Sequence, residues 1–91
     1  MTAVTYRIDS DVAVLQIDHP PVNALALAVR EAMRDALARA AADPAVKAIV
    51  ITGSRGMFLG GADINEIATG LNERSPTLRD LQSQMEAVPK P

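Results

Sequence analysis

The chain has no cysteine and no tryptophan, and it has only one tyrosine, one phenylalanine and one histidine in 91 residues. The absence of cysteine excludes disulfides, thiolate metal sites and a cysteine nucleophile, and a single histidine excludes a histidine-rich metal cluster. Nine basic and eleven acidic residues give a net charge of −2. A basic surface and aromatic stacking residues are therefore both missing, and we expect neither a bound metal nor a nucleic-acid partner.

Long apolar runs are missing too. No segment approaches the roughly 18 apolar residues of a membrane span, and the N-terminus lacks the basic and then apolar regions of a secretory signal. We therefore expect no membrane partner and a cytoplasmic location. Hydrophobic residues make up 48% of the chain, which is typical of a globular protein, and the length suits one small domain.

Hydrophobic periodicity predicts two strands, a helix and a third strand in the first half of the chain. Alternating apolar residues predict strands over 4–9 and 12–18, which a short polar turn joins into an antiparallel hairpin. An apolar stripe predicts a helix over 26–43 that ends before Pro44. The β-branched run over 46–52 predicts a parallel strand covered on both faces, so that strand, helix and strand form a βαβ unit.

The second half predicts a short helix over 64–69, a polar and mobile link over 70–76, and a last helix that Ser75 caps and Pro76 begins. Four apolar residues of this helix are predicted to pack against the sheet: Leu78, Leu81, Met85 and Val88. No further strand follows, so the third strand is predicted to lie at an exposed edge of the sheet. The sequence therefore resembles the front of a longer domain.

The segment with the most chemical content is Phe58-Leu59-Gly60-Gly61-Ala62-Asp63-Ile64, which precedes the short helix. Paired glycines let a ligand approach the main chain closely, and amides at a helix start favour negative charge. Such a turn can hold a phosphate or the oxyanion of an acyl intermediate. An ordinary tight turn is the more frequent meaning of this pattern. A dinucleotide cradle is disfavoured because the G-x-G-x-x-G spacing is missing.

The other polar candidates are assigned ordinary structural roles. His19 has no acidic partner spaced to orient it, and Asp63 is predicted to cap the short helix rather than to act as a general base. Glu66 lies beside the glycine pair and Arg55 is within reach of a phosphate there, but both are predicted to be solvated. Asp80 is predicted to be an ordinary exposed residue of the last helix.

Three segments, in this order, resemble the opening third of the enoyl-CoA hydratase (crotonase) family: Pro20-Pro21-Val22-Asn23-Ala24-Leu25, Val46-Lys47-Ala48-Ile49-Val50-Ile51-Thr52-Gly53 and Phe58-Leu59-Gly60-Gly61-Ala62-Asp63-Ile64. The resemblance covers essentially the whole chain. It is strongest to the hydratase part of multifunctional enzymes that also carry a 3-hydroxyacyl-CoA dehydrogenase. It implies an α/β fold, a partial crotonase (ClpP-like) spiral with an N-terminal β-hairpin followed by a βαβ unit and helices. Residues 1–91 would form the N-terminal part of one incomplete domain.

The resemblance also implies a site. The backbone N–H of Ala62 would bind the thioester oxygen as one half of an oxyanion hole. Neighbouring residues would shape the turn and the acyl-CoA pocket or lie along the CoA moiety: Val22, Asn23, Ala24, Leu25, Gly60, Gly61, Asp63 and Ile64. Many family members have alanine where Gly60 stands, so a looser loop is expected. The second oxyanion amide and the acid/base glutamates of the family correspond to positions beyond Pro91.

The implied function is that of an N-terminal fragment of an enoyl-CoA hydratase that acts on 2-enoyl-CoA thioesters in fatty-acid β-oxidation. No cofactor is implied apart from the coenzyme A of the substrate, and family members are usually homo-oligomers. Hydration needs a base, an acid and two oxyanion donors, so the chain alone is expected to be inactive. Two alternatives stay open: a non-catalytic remnant, pseudoenzyme or interaction module, and a fragment of another acyl-CoA enzyme of this fold, such as an isomerase or hydrolase.

Overall fold

The computed structural model describes residues 3–91, so Met1 and Thr2 lie outside the described part. Its centre is a three-stranded sheet in the order β1-β2-β3. Strands β1 (Val4–Asp9) and β2 (Val12–Ile17) pair antiparallel, and β2 pairs parallel with β3 (Ala48–Gly53). The predicted hairpin and βαβ unit are confirmed.

Three helices complete the described chain: α1 (Leu27–Ala42), α2 (Ile64–Thr69) and α3 (Leu78–Ala87), with a short 3-10 turn at Leu71–Glu73 between the last two. The helices predicted over 26–43 and 64–69 are confirmed. Helix α1 packs on the sheet and α3 packs on α1. The core between them is aliphatic and consists of Val4, Ala13, Leu15, Ile17, Val29, Met33, Ala36, Leu37, Ala40, Val46 and Leu81.

Strand β3 lies at the edge of the sheet, as predicted, but the expectation that both its faces are covered is wrong. Ile49 and Ile51 pack against the core, whereas Val50, on the opposite face, is 46% exposed. The difference arises because α1 and α3 cover the same side of the sheet. At the outer edge, the amide of Ile49 donates to the carbonyl of Pro91 at 2.8 Å.

The predicted start of the last helix is wrong by two residues. Thr77 is the N-cap, and its hydroxyl accepts from the amide of Asp80 at 3.1 Å while the Asp80 carboxylate accepts from the Thr77 amide at 2.8 Å. This reciprocal capping box satisfies two amides at once, which a cap at Ser75 would not do. Asp80 is exposed but has this specific role. Of the four apolar residues expected to be covered, Leu81 is buried, whereas Leu78 is 49% exposed.

Candidate functional site

The glycine pair lies in the loop between β3 and α2, packed against the chain that follows β2. Gly61 has a φ of +93°, which favours glycine. A Cβ atom on Gly60 would lie 2.3 Å from the carbonyl oxygen of Val22, so glycine permits a contact that a side chain would block. The looser loop expected at Gly60 stays a prediction.

Two backbone hydrogen bonds join this loop to the segment after β2. The amide of Gly60 donates to the carbonyl of Asn23 at 3.2 Å, and the amide of Leu25 donates to the carbonyl of Gly61 at 2.8 Å. The structure thus places the sequence-predicted segments 22–25 and 60–64 side by side. They form one continuous surface, called here the glycine-loop site.

The amide of Ala62 is left free by this arrangement. It donates to no acceptor within residues 3–91, and the residue is exposed. The amides of Asn65 and Glu66 are occupied, because the Asp63 carboxylate accepts from them at 2.9 and 3.2 Å. The predicted capping role of Asp63 is confirmed, and it means that these helix amides are not open to a ligand. The amides over 61–64 donate to no acceptor in the described part of the chain, so the open donors, that of Ala62 among them, lie just before and at the start of α2.

The glycine-loop site is an open surface bordered by apolar side chains. Ile64 is 81% exposed, and Phe58 and Ile67 are more than half exposed. The two cavities described in residues 3–91 lie elsewhere. One is between α1, β3 and α3, and the other lies beside Tyr6 and Arg39. Any ligand at the loop would therefore lie on the surface of this chain.

Asn23 acts as a brace within the site. Its side chain is completely buried and its φ is +53°, a left-handed conformation that asparagine tolerates better than most residues. The side-chain oxygen accepts from the His19 amide at 2.8 Å, and the side-chain nitrogen donates to the Met57 carbonyl at 2.8 Å and weakly to that of Ser54. The side chain thus ties together three stretches of main chain and is not exposed to a ligand.

Arg55 is paired rather than simply solvated. Its guanidinium donates to the carboxylate of Asp18, and to the side-chain oxygen of Asn23 at 3.2 Å. The Arg55 hydrogen bond, with a further one from the Ser54 hydroxyl, lowers the pKa of Asp18 below its ordinary value. The cation is half exposed, and a neighbouring carboxylate already balances its charge.

The main surprise is Glu66, whose predicted solvated position is wrong. Its side chain is only 13% exposed, and it forms an ion pair of 3.0 Å with Arg30, whose side chain is 3% exposed. Arg30 also bonds to the link over 70–76, through the carbonyls of Leu71 and Pro76; the mobility expected of this link stays a prediction. The sequence signal for this buried ion pair was the position of Arg30, which lies on the apolar stripe of α1, three residues before Met33.

Residues 3–91 contain no group of three or more His, Cys, Asp or Glu side chains that could hold a metal ion. Within the same part of the chain, none of the helices has the length and apolar character needed to cross a bilayer.

A family profile and individual relatives in other organisms indicate the same family for this chain. The sequence profile described as Enoyl-CoA hydratase/isomerase matches residues 7–91. The peroxisomal bifunctional enzyme of Danio rerio is 46% identical over 92% of this chain, and the glyoxysomal fatty acid beta-oxidation multifunctional protein MFP-a of Cucumis sativus is 38% identical over 88% of it. The chain spans only 11% and 12% of the lengths of these two relatives.

Solved structures agree with the sequence relatives. A chain of Legionella pneumophila assigned to the enoyl-CoA hydratase/isomerase (crotonase) group superposes with a TM-score of 0.89 at 26% identity, covering all of this chain and 38% of that one. An enoyl-CoA hydratase of Mycobacterium marinum gives a TM-score of 0.83 at 28% identity, covering 99% of this chain and 46% of that one. The chain therefore belongs to the enoyl-CoA hydratase/isomerase family, and its sheet and helices correspond to part of the crotonase fold.

Proposed function

We propose that this chain supplies one half of an oxyanion hole for an acyl-CoA thioester, through the backbone N–H of Ala62. The observation that carries the proposal is the free amide of Ala62, which follows two loop residues held by hydrogen bonds at Gly60 and Gly61. A donor fixed in place before the ligand arrives stabilises charge on a carbonyl oxygen without a cost of reorganisation at the moment of reaction. An amide in a loosely held loop would lack this advantage.

The acyl-CoA would lie along the glycine-loop site. Ile64 follows the free amide by two residues and is the most exposed of the large hydrophobic residues, so its side chain suits contact with the acyl part. Val22 and Ala24 would face the CoA moiety, while Leu25, which packs against the core, and the buried Asn23 would shape their path. The family includes both hydratases and isomerases. We assign a 2-enoyl-CoA substrate to this chain because a relative is named as a fatty acid beta-oxidation protein.

The chain alone would bind but not turn over such a substrate. Both carboxylates nearest the free amide are occupied, since Asp63 caps α2 and Glu66 pairs with Arg30. Neither is free to activate water, and removal of even one oxyanion donor typically slows a reaction by about a hundredfold to a thousandfold. In the presence of the 91-residue chain, the absorbance of crotonyl-CoA should stay constant. A steady loss of that absorbance would contradict this part of the proposal.

Binding can be tested by titration of the isotopically labelled chain with butyryl-CoA, a saturated thioester that cannot be hydrated. We expect the amide proton of Ala62 to move downfield, because it forms a new hydrogen bond. Free coenzyme A, which lacks the thioester carbonyl, is the matched control and should leave that signal in place. Equal shifts with both ligands, or no shift with either, would count against the oxyanion role.

The homo-oligomeric state and the cytoplasmic location stay predictions. The printed name of the Danio rerio relative assigns that protein to the peroxisome, so a fluorescent fusion of the full-length gene product, viewed in the source cell, is the appropriate test of location.

A further inference from the structure

Arg30 is a buried guanidinium that joins several segments. It donates to the carboxylate of Glu66 at 3.0 Å, to the carbonyl of Leu25 at 2.8 Å and to the carbonyl of Leu71 at 2.7 Å. A fourth bond, of 2.7 Å, reaches the carbonyl of Pro76. The planar, multi-donor shape of arginine allows this fan of contacts, which a lysine cannot reproduce.

Glu66 acts as the missing cap of α1. The N-cap residue of that helix, Ala26, makes no side-chain hydrogen bond, so the first amides of the helix need an acceptor from elsewhere. Both carboxylate oxygens of Glu66 accept from the amide of Leu27, at 2.8 and 3.0 Å. A carboxylate at a helix N-terminus also interacts favourably with the helix dipole. Glu66 therefore fixes α2 against the start of α1.

The two residues together hold both flanks of the free amide. On one side, Arg30 fixes the carbonyl of Leu25, and the amide of the same Leu25 donates to the carbonyl of Gly61. On the other side, Glu66 lies one turn into α2, the helix that begins directly after Ala62 and Asp63. The path from the ion pair to the Ala62 amide is thus short and continuous in both directions.

We propose that Arg30 and Glu66 are positioning residues, which fix the orientation of the Ala62 amide by holding segment 23–25 and helix α2 on either side of it. This inference rests on the proposed function for its purpose, but its structural content can be tested without any ligand. The simpler alternative is that the pair only stabilises the fold, because removal of one partner of a buried pair is destabilising in any context. The positioning role and the purely stabilising role differ in which amides lose protection from hydrogen exchange when the ion pair is changed.

Hydrogen exchange separates a local effect from a global one. The amides of Leu25 and Gly60 form the two bonds between the loop and segment 23–25, and the amide of Leu15 lies in the central strand as a reference. We would compare Arg30→Lys and Glu66→Gln with the wild-type chain. Arg34→Lys, the same change one turn along α1 at an exposed ion pair, is the matched control.

Positioning predicts that protection at Leu25 and Gly60 falls at least about tenfold more than protection at Leu15 in either variant, because the opening is local. The Arg34→Lys chain should exchange like the wild type. If protection at all three amides falls by the same factor, the pair is only a stabilising element and the inference is overturned. Should Arg30→Lys unfold, Glu66→Gln keeps an acceptor oxygen for the Leu27 amide and provides the same comparison.

A second arm measures affinity for butyryl-CoA and for coenzyme A. Positioning predicts that Glu66→Gln weakens the binding of butyryl-CoA by about threefold to tenfold, in line with the loss of one hydrogen bond, and leaves the affinity for coenzyme A unchanged. Equal weakening for both ligands would overturn the positioning role. If wild type does not distinguish the two ligands, the proposed function fails, and the exchange arm still decides the role of the ion pair.

Discussion

Asn23 shows how one residue can satisfy a backbone and a side-chain requirement together. Its left-handed φ of +53° is uncommon for residues with a Cβ atom, and its buried amide group bonds to the main chain of His19 and Met57. The resemblance placed Asn23 along the ligand. In the structure its side chain ties the segment after β2 to the turn that follows β3, which no local pattern reveals, since Met57 is 34 residues away.

Replacement of Asn23 should therefore be costly. We expect Asn23→Ala to lower the free energy of unfolding by about 2 to 4 kcal/mol, because buried main-chain groups lose their partners and the left-handed backbone becomes strained. Asn23→Gly is the matched variant, since it loses the same side-chain hydrogen bonds but adopts the left-handed φ without strain. Urea denaturation should show a smaller loss of unfolding free energy for this variant than for Asn23→Ala. A wild-type midpoint for Asn23→Ala would contradict this assignment.

Gly53 provides a second test at the residue scale. A Cβ atom there would lie 1.9 Å from the carbonyl oxygen of Met57, so the backbone after β3 would have to move. We expect Gly53→Ala to destabilise the chain by about 1 to 3 kcal/mol, the usual range for overpacking. The control is Gly56→Ala, where the added Cβ meets nothing within 4 Å and the cost comes from a φ of +73° alone. A larger loss for Gly56→Ala than for Gly53→Ala would be inconsistent with the contact.

At the scale of elements, the sequence predicted the features that depend on neighbouring residues, but not those that depend on partners far away in the chain. The hairpin, the bounds of α2 and the cap at Asp63 follow from residues that are neighbours in sequence. Glu66 was misplaced because its partner Arg30 is 36 residues away and a carboxylate on a short helix is normally solvated. The start of α3 was missed because a Ser-Pro pair and a Thr-x-x-Asp box compete within three residues, and the box satisfies more amides.

Helix α3 gives a pH prediction with a defined sign. The Thr77 amide and the Ser75 hydroxyl donate to the Asp80 carboxylate and lower its pKa below the ordinary 3.8. A carboxyl whose pKa is lower in the folded chain than in the unfolded chain stabilises the fold above pH 3.8, and this contribution is lost as the pH falls through the folded pKa. Asp80→Asn should therefore flatten the acid limb of the stability profile. An acid limb identical to that of wild type would contradict the capping box.

At the scale of the whole molecule, the described chain has an open side. The amide of Ile49 at the outer edge of β3 meets only the terminal Pro91, and by strand alternation the amides of Ile51 and Gly53 face the same edge. The sequence predicted this edge, because no strand remained to pair with it. It did not predict the exposed face at Val50, since a continuous apolar run is typical of strands with two covered faces.

An open edge of this kind favours association with other chains. We expect the 91-residue chain to melt over a broad range at a temperature that depends on protein concentration, as followed by circular dichroism and sedimentation. Val50→Lys, which places a charge on the exposed face of β3, should reduce self-association. Gln82→Lys adds the same charge on the exposed surface of α3 and should not. A sharp, concentration-independent transition of the wild-type chain would oppose this prediction.

The backbone N–H of Ala62 can be removed by chemical synthesis of the chain with L-lactic acid in place of that residue. This change turns the amide into an ester and keeps the methyl side chain. We expect the ester chain to bind butyryl-CoA about tenfold more weakly than wild type, as for the loss of one hydrogen bond, whereas Ala62→Gly, which keeps the N–H, should bind with unchanged affinity. Equal affinity of the ester chain and the wild-type chain would contradict this expectation.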